Sequence, residues 1–248
     1  MRARHRHFNP RDAGAAFALD SRYGFNQSDN TTVSTWDDRT NNNADATQNT
    51  PAYRPKYRTA IQGGCPALQF DGVSNSKDRL DGSSTITNDK ITTICVWRLG
   101  LGSGAPSYGR VVSISKNNLN DYDNAARGIP WLRDTTNNRI LSILRGTGTP
   151  IININPDTWY HWASTYDGAL HSTRLNESTE TSVAASGNLD VSQYRIGMGF
   201  DSTVSESNIT GSFTGYIAQV SLFNAALSAS LRKRIQFANA FSYKLSCS

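Results

Sequence analysis

Charge is scarce in this 248-residue chain, with Asp, Glu, Lys and Arg making up 18% of it, against roughly 25% in an ordinary globular protein. Asn, Ser and Thr fill the gap, which gives a polar but weakly charged surface. With 37% hydrophobic residues, the chain holds too much apolar material to stay disordered. Glutamate is rarer still, limited to Glu177, Glu180 and Glu206. Cysteine occurs at Cys65, Cys95 and Cys247, with no C-x-x-C pair. An odd, scattered set gives neither a disulfide framework nor a thiolate zinc site, and leaves reduced thiols. No apolar run approaches the ~20 residues that span a bilayer. The amino-terminal Met1-Arg2-Ala3-Arg4-His5-Arg6-His7 has no apolar stretch behind it, so neither a secretion signal nor a membrane anchor is expected. The Asn-x-Ser/Thr sequences at Asn26, Asn30, Asn176 and Asn208 then read as chance matches. A chain this long buries about 70 to 75% of the surface its unfolded form exposes, enough to fold without staples.

The net charge of +5 is unevenly placed. Residues 1 to 12 hold Arg2, Arg4, Arg6 and Arg11 against Asp12, and residues 228 to 248 hold Arg232, Lys233, Arg234 and Lys244 with no acid, so the stretch between them is slightly negative. Specific nucleic-acid binding needs a basic face interleaved with stacking aromatics. Here the aromatics lie in the middle and the cations at the ends, which excludes that pattern. A seven-residue arm at about 3.3 Å per residue reaches roughly 23 Å from the body, far enough to grip a neighbour.

Strand signals are short and separated by turn residues. Ile91 to Trp97, Arg110 to Ser115, Arg139 to Leu144, Trp159 to Tyr166, Tyr194 to Met198 and Tyr216 to Phe223 have the length and the β-branched or aromatic content of strands. Turn chemistry lies between them at Asp71-Gly72, Asn117-Asn118, Asn137-Asn138, Asp167-Gly168 and Ser186-Gly187-Asn188. Six to ten strands follow. One helix is expected over about 228–242, capped by Ser228, with Leu227, Leu231, Ile235 and Ala238 as its apolar stripe. Short strands without alternating helices predict an all-β, two-sheet antiparallel sandwich with a short C-terminal helix. Residues 1–12 are read as a basic arm and 13–248 as one domain.

Several motifs, in order, carry a resemblance. Trp36-Asp37-Asp38, Asn41-Asn42-Asn43-Ala44-Asp45, Arg54-Pro55-Lys56-Tyr57 and Pro66-Ala67-Leu68-Gln69-Phe70-Asp71-Gly72 resemble the first half of a laminin-G-like jelly roll of the concanavalin A-like lectin/glucanase superfamily. Trp159-Tyr160-His161-Trp162-Ala163-Ser164-Thr165-Tyr166-Asp167-Gly168 is similar to its strand-and-turn motif, and the run from Phe213 to Asn224 to its closing strand. The resemblance spans about residues 17 to 243 and implies a concanavalin A-like jelly roll. Trp36, Trp159, Trp162, Phe70 and Phe223 are expected between its sheets. Two positions depart from the pattern: Arg39-Thr40 replaces the usual Ser-Gly, and Gln219 replaces the usual acidic residue of the closing strand. The family's loop calcium implies a candidate site at Asn120, Asp121, Asp123 and Asn124; no other cofactor is expected.

Glycoside hydrolysis needs two carboxyl groups facing one another across the groove. Glu177 and Glu180 are oddly spaced, which puts them on opposite faces of a strand, and they sit in a polar, turn-like stretch. His161 falls in an aromatic strand and His171 in a polar loop, without a Gly-x-Ser-x-Gly elbow. The expectation is therefore a protein that is not an enzyme. Its main form is a virion structural protein, made in the host cytoplasm: a bacteriophage capsid decoration protein, or a tail or fibre component. Arg2, Arg4 and Arg6 of the arm and Arg232 and Arg234 of the last helix would bind neighbouring capsid or tail proteins, and a homo-oligomer is expected. The alternative is a carbohydrate-binding module for host surface glycans, with Tyr108, Tyr122 and Trp131 stacking on sugar rings. Neither reading involves a membrane.

Overall fold

The computed structural model describes residues 9–72, 78–86, 90–100, 109–116, 131–134, 139–144, 147–200 and 211–243. In chain order the strands are β1 (Ala15–Asp20), β2 (Thr31–Thr32), β3 (Thr35–Trp36), β4 (Ala46–Thr47), β5 (Lys56–Gln62), β6 (Cys65–Phe70), β7 (Leu80–Ile86), β8 (Ile91–Leu99) and β9 (Val112–Ser115). They continue as β10 (Trp131–Asp134), β11 (Arg139–Leu144), β12 (Thr147–Gly148), β13 (Ile152–Asn153), β14 (Trp159–Tyr166), β15 (Leu170–Leu175), β16 (Thr181–Ala184), β17 (Val191–Ile196) and β18 (Gly215–Phe223). One α-helix, α1 (Ala229–Ser242), follows. These strands exceed the expected six to ten because many are two-residue pairings that no sequence pattern marks.

The larger sheet runs β16-β15-β14-β8-β18-β6-β5-β2, with β1 also on β18. One edge of β18 lies along β8, and its other edge is shared: β6 takes Gly215 to Ile217 and β1 takes Gln219 to Phe223. The second sheet runs β3-β4-β7-β17-β9, and β10 to β13 form a small third sheet around β11. All strand pairings among the described residues are antiparallel, so the jelly-roll sandwich expected from the sequence is the fold found. β17 ends at Ile196, two residues before the expected Met198. Gly197 has φ +83°, and a Cβ there would run into the Phe70 ring.

Strand parity decides which aromatics enter the core. On β14, Tyr160, Trp162 and Tyr166 join Phe17, Trp36, Phe70, Trp97 and Tyr194 between the sheets. Trp159 is three residues from Trp162, so it falls on the outer face, partly buried beside Val96, Ala218 and Tyr243. Phe223 is buried too, but on the outer face, under α1 with Ile94, Ala163, Leu227 and Ile235. The expectation that both lie between the sheets is corrected on this ground.

The helix begins where its sequence says, with the Ser228 hydroxyl accepting from the Leu231 N–H. Its buried face differs from the apolar stripe: Arg232, Ile235, Gln236, Asn239 and Ala240 are buried, while Leu231 and Ala238 are only partly so. The cause is the sheet beneath, whose outer face here is itself polar with His161, Gln219 and Ser221, all buried. Gln236 Nε2 donates to the His161 carbonyl at 3.4 Å. Tyr243 Oη lies 2.9 Å from both Asp20 Oδ1 and the Ala218 carbonyl, which ties the helix end to β1 and β18.

Candidate functional site in a polar cleft

A cleft of about 690 Å³ opens where the start of β1, the loop 37–45 and the end of β7 meet. Its lining is Gly14, Ala15, Ala16, Thr40, Asn41, Asn42, Ala44, Ser83, Ser84, Thr85 and Asn224. The size falls within the roughly 300 to 1,000 Å³ of small-molecule sites. β7 reaches the cleft because its neighbour β4 pairs with it only at Asp81, leaving Ser83 to Thr85 beyond the end of β4.

The loop wall is held by one carboxylate. Asp38 Oδ1 accepts from the N–H groups of Ala18 at 2.9 Å and Thr40 at 3.0 Å, and Oδ2 accepts from the Thr40 hydroxyl and from Ala44 N–H at 3.3 Å. Asp45 Oδ1 accepts from Asp38 N–H at 2.7 Å. Asn42 Nδ2 spans to the carbonyls of Ala15 at 3.2 Å and Ala16 at 2.9 Å, fastening the loop to β1. Thr40, one of the two departures from the family pattern, therefore serves as a brace.

Beneath the cleft lies a closed aromatic layer that does not itself line it. The Tyr194 ring stacks on Phe17 with centroids 3.9 Å apart, and both are fully buried. Gly82 lets that ring cross β7, since a Cβ there would collide with it. The Tyr194 hydroxyl then donates to the Ala44 carbonyl, fixing the loop over this layer. Burial first, and then the negative charges of Asp38, Asp45 and Asp81, push the Tyr194 phenol well up. Above this base, Asn41, Ser83, Ser84 and Thr85 make no side-chain hydrogen bond to other described residues. Their amide and hydroxyl groups are open to a ligand. Among the described residues no carboxylate, imidazole, thiol or cation lines the cleft.

None of the sequence-expected site residues is among the described residues that line the cleft. Arg2, Arg4, Arg6, Tyr108, Tyr122, Asn120, Asp121, Asp123 and Asn124 lie outside the described residues, and Trp131 is described only as the first residue of β10. Arg232 is not presented to a neighbour. It is buried, its Nη2 lies 2.5 Å from Glu180 Oε2, and its Nη1 donates to the Leu227 carbonyl. Arg234 is exposed on the helix. His171 is not in a loop but on β15, fully buried, with Nε2 2.9 Å from the Ser164 hydroxyl. That hydroxyl lies 3.2 Å from the Ser142 hydroxyl, inside the core and out of reach of a substrate. Among the described residues no group of acids, histidines and cysteines is placed to hold a metal ion, and Cys65 and Cys95 are free.

No protein-family model matches the chain, and no curated protein does. Solved structures do match. A Trypanosoma rangeli sialidase in complex with sialic acid superposes with a TM-score of 0.58 at 14% identity, over 92% of this chain and 33% of the sialidase. The fold is a concanavalin A-like jelly roll. The native heptameric SAP-like pentraxin from Limulus polyphemus superposes with a TM-score of 0.50 at 15% identity, over 73% of this chain and 82% of its own. The jelly roll thus spans a third of the sialidase's length, and at these identities the likeness is one of fold.

Proposed function

We propose that this chain is a carbohydrate-binding, lectin-like module, with the cleft between β1, the loop 37–45 and β7 as its sugar site. The observation that carries the reading is a braced cleft whose open groups are amides and hydroxyls. Such groups both donate and accept, as sugar hydroxyls do. The proposal is one of binding, and sugar hydrolysis is not part of it. The fold neighbours agree in kind, since one of them is a sialidase holding sialic acid, but they do not assign a ligand to this chain.

The particle-cementing role has less support. Arg2, Arg4 and Arg6 of its arm fall outside the described residues, and Arg232 is spent within the chain. Assembly into a homo-oligomer remains part of the proposal, because a site without aromatic stacking gains most from repetition; the pentraxin neighbour is itself a heptamer. The deciding experiment is a glycan-binding screen of the full chain beside Asn41→Ala/Thr85→Ala. Binding that falls in the double variant while the fold persists supports the reading, and a chain that holds no glycan on any surface ends it.

A further inference from the structure

Resting on the sugar-binding reading, we propose that the cleft selects an uncharged, hydroxyl-rich glycan and discriminates against sugars bearing carboxylate or sulfate. Recognition of an anionic sugar calls on a cation, most effectively an arginine fork. None of the described residues lining this cleft is a cation. The arginines of the surrounding elements are committed: Arg22 and Arg39 to Asp20, at 2.5 and 3.2 Å, and Arg79 and Arg195 to Asp81, at 3.3 and 2.5 Å.

The local field has the opposite sign. The loop that forms one wall carries Asp37, Asp38 and Asp45 within nine residues, and none of them makes an ion pair with another described residue. Burial first, and then the charge of Asp45, holds the Asp37 carboxyl above its usual range. Burial is likewise the first cause of the raised Tyr194 phenol beneath the cleft, with the charges of Asp38, Asp45 and Asp81 adding to it. A sialylated or sulfated sugar entering here would shed water from its anion beside this acidic loop and find no cation among the described lining residues in exchange. A neutral sugar loses only hydroxyl hydration, which Asn41, Ser83, Ser84 and Thr85 replace.

The test is an array on which neutral oligosaccharides are printed beside their sialylated and sulfated counterparts, probed with the full chain, with Asn41→Ala/Thr85→Ala and with Ser83→Lys. The expected result is binding to neutral glycans, at least about tenfold weaker on the charged counterpart. That binding is lost in the double variant, and the discrimination narrows in Ser83→Lys. Equal or tighter binding of the acidic glycans, lost in the double variant, overturns the selectivity while leaving the cleft a sugar site. Neutral binding that the double variant leaves unchanged removes the cleft from the proposal. Silence on every glycan removes the sugar-binding reading itself, and thermal melting of the double variant shows that loss of signal is not loss of fold.

Discussion

Two polar regions lie at the two ends of β1 and are built on opposite terms. Around Asp20 the charged groups are paired with one another. Its carboxylate, 1% exposed, takes Arg22 through Nε at 2.9 Å and Nη2 at 2.5 Å, Arg39 at 3.2 Å and the Tyr243 hydroxyl at 2.9 Å. Arg39 also lies 3.6 Å from the centre of the Tyr23 ring. The space left there, about 10 Å³, is at most that of one water. In the cleft the braces, Asp38, Asn42 and Tyr194, are also fully engaged, but the rim hydroxyls and amides are not. Saturated polarity holds elements together, while unspent polarity in an open space is available to a ligand.

The contrast is most sharply tested at its saturated end. Asp20→Ala takes the shared carboxylate away from two partly buried guanidiniums, while the Tyr243 hydroxyl keeps the Ala218 carbonyl, and is expected to cost about 3 to 5 kcal/mol in denaturant unfolding. A loss below about 1 kcal/mol would mean that the network is only a surface ion pair. Acid is the next lever. Burial first, and then the Arg174 charge, lowers the His161 pKa to about 4, and burial lowers that of His171 to about 4. Both histidines fold neutral. Stability is therefore fully present above the unfolded value near 6.5 and is lost as pH falls toward 4, by about 2 kcal/mol per histidine at pH 4.5. Thermal midpoints from pH 7 to 4.5 check this, and His161→Leu should remove close to half of the slope.

Smaller effects mark the border between brace and rim. Tyr194→Phe leaves the buried Ala44 carbonyl without its donor, at about 1 to 2 kcal/mol, and should loosen the loop enough to weaken glycan binding as well. Asn41→Ala touches nothing that holds the fold, so its stability should stay within about 0.5 kcal/mol of the parent while binding falls. Melting and titration on the same pair of variants separate the two roles; equal stability losses would erase the distinction.

Much of the architecture was legible because it rests on local rules. The Ser228 cap and the helical spacing after it placed α1 within a residue, and β14 was bounded at both ends by its aromatic content and the Asp167-Gly168 turn. In that turn Asp167 Oδ1 accepts from the N–H groups of Ala169 and Leu170, and Gly168 takes φ +99°. The polar underside of the helix was not legible, since Leu227, Leu231, Ile235 and Ala238 make a good stripe whatever lies below. Only the sheet's outer face, with His161, Gln219 and Ser221, turns Arg232, Gln236 and Asn239 inward. The cleft escaped for another reason: its walls come from four distant stretches that meet only when β1 pairs with β18. Aromatic residues are the usual signal for sugar stacking, and this lining has none. The polar runs Asn41-Asn42-Asn43 and Ser83-Ser84-Thr85, each beside strand material, were the signal present.

The position of β18 also governs how the protein is made. This strand comes late in the chain, yet it binds β1 from the beginning, β6 from the first third and β8 from the middle. On the ribosome, each of those three strands waits with one edge unsatisfied until residue 223 has cleared the exit tunnel. Closing such distant contacts is slow, and exposed edges recruit other chains in the meantime. Dependence on chaperones during synthesis follows, and a chain stopped before Gly215 should aggregate rather than fold in part.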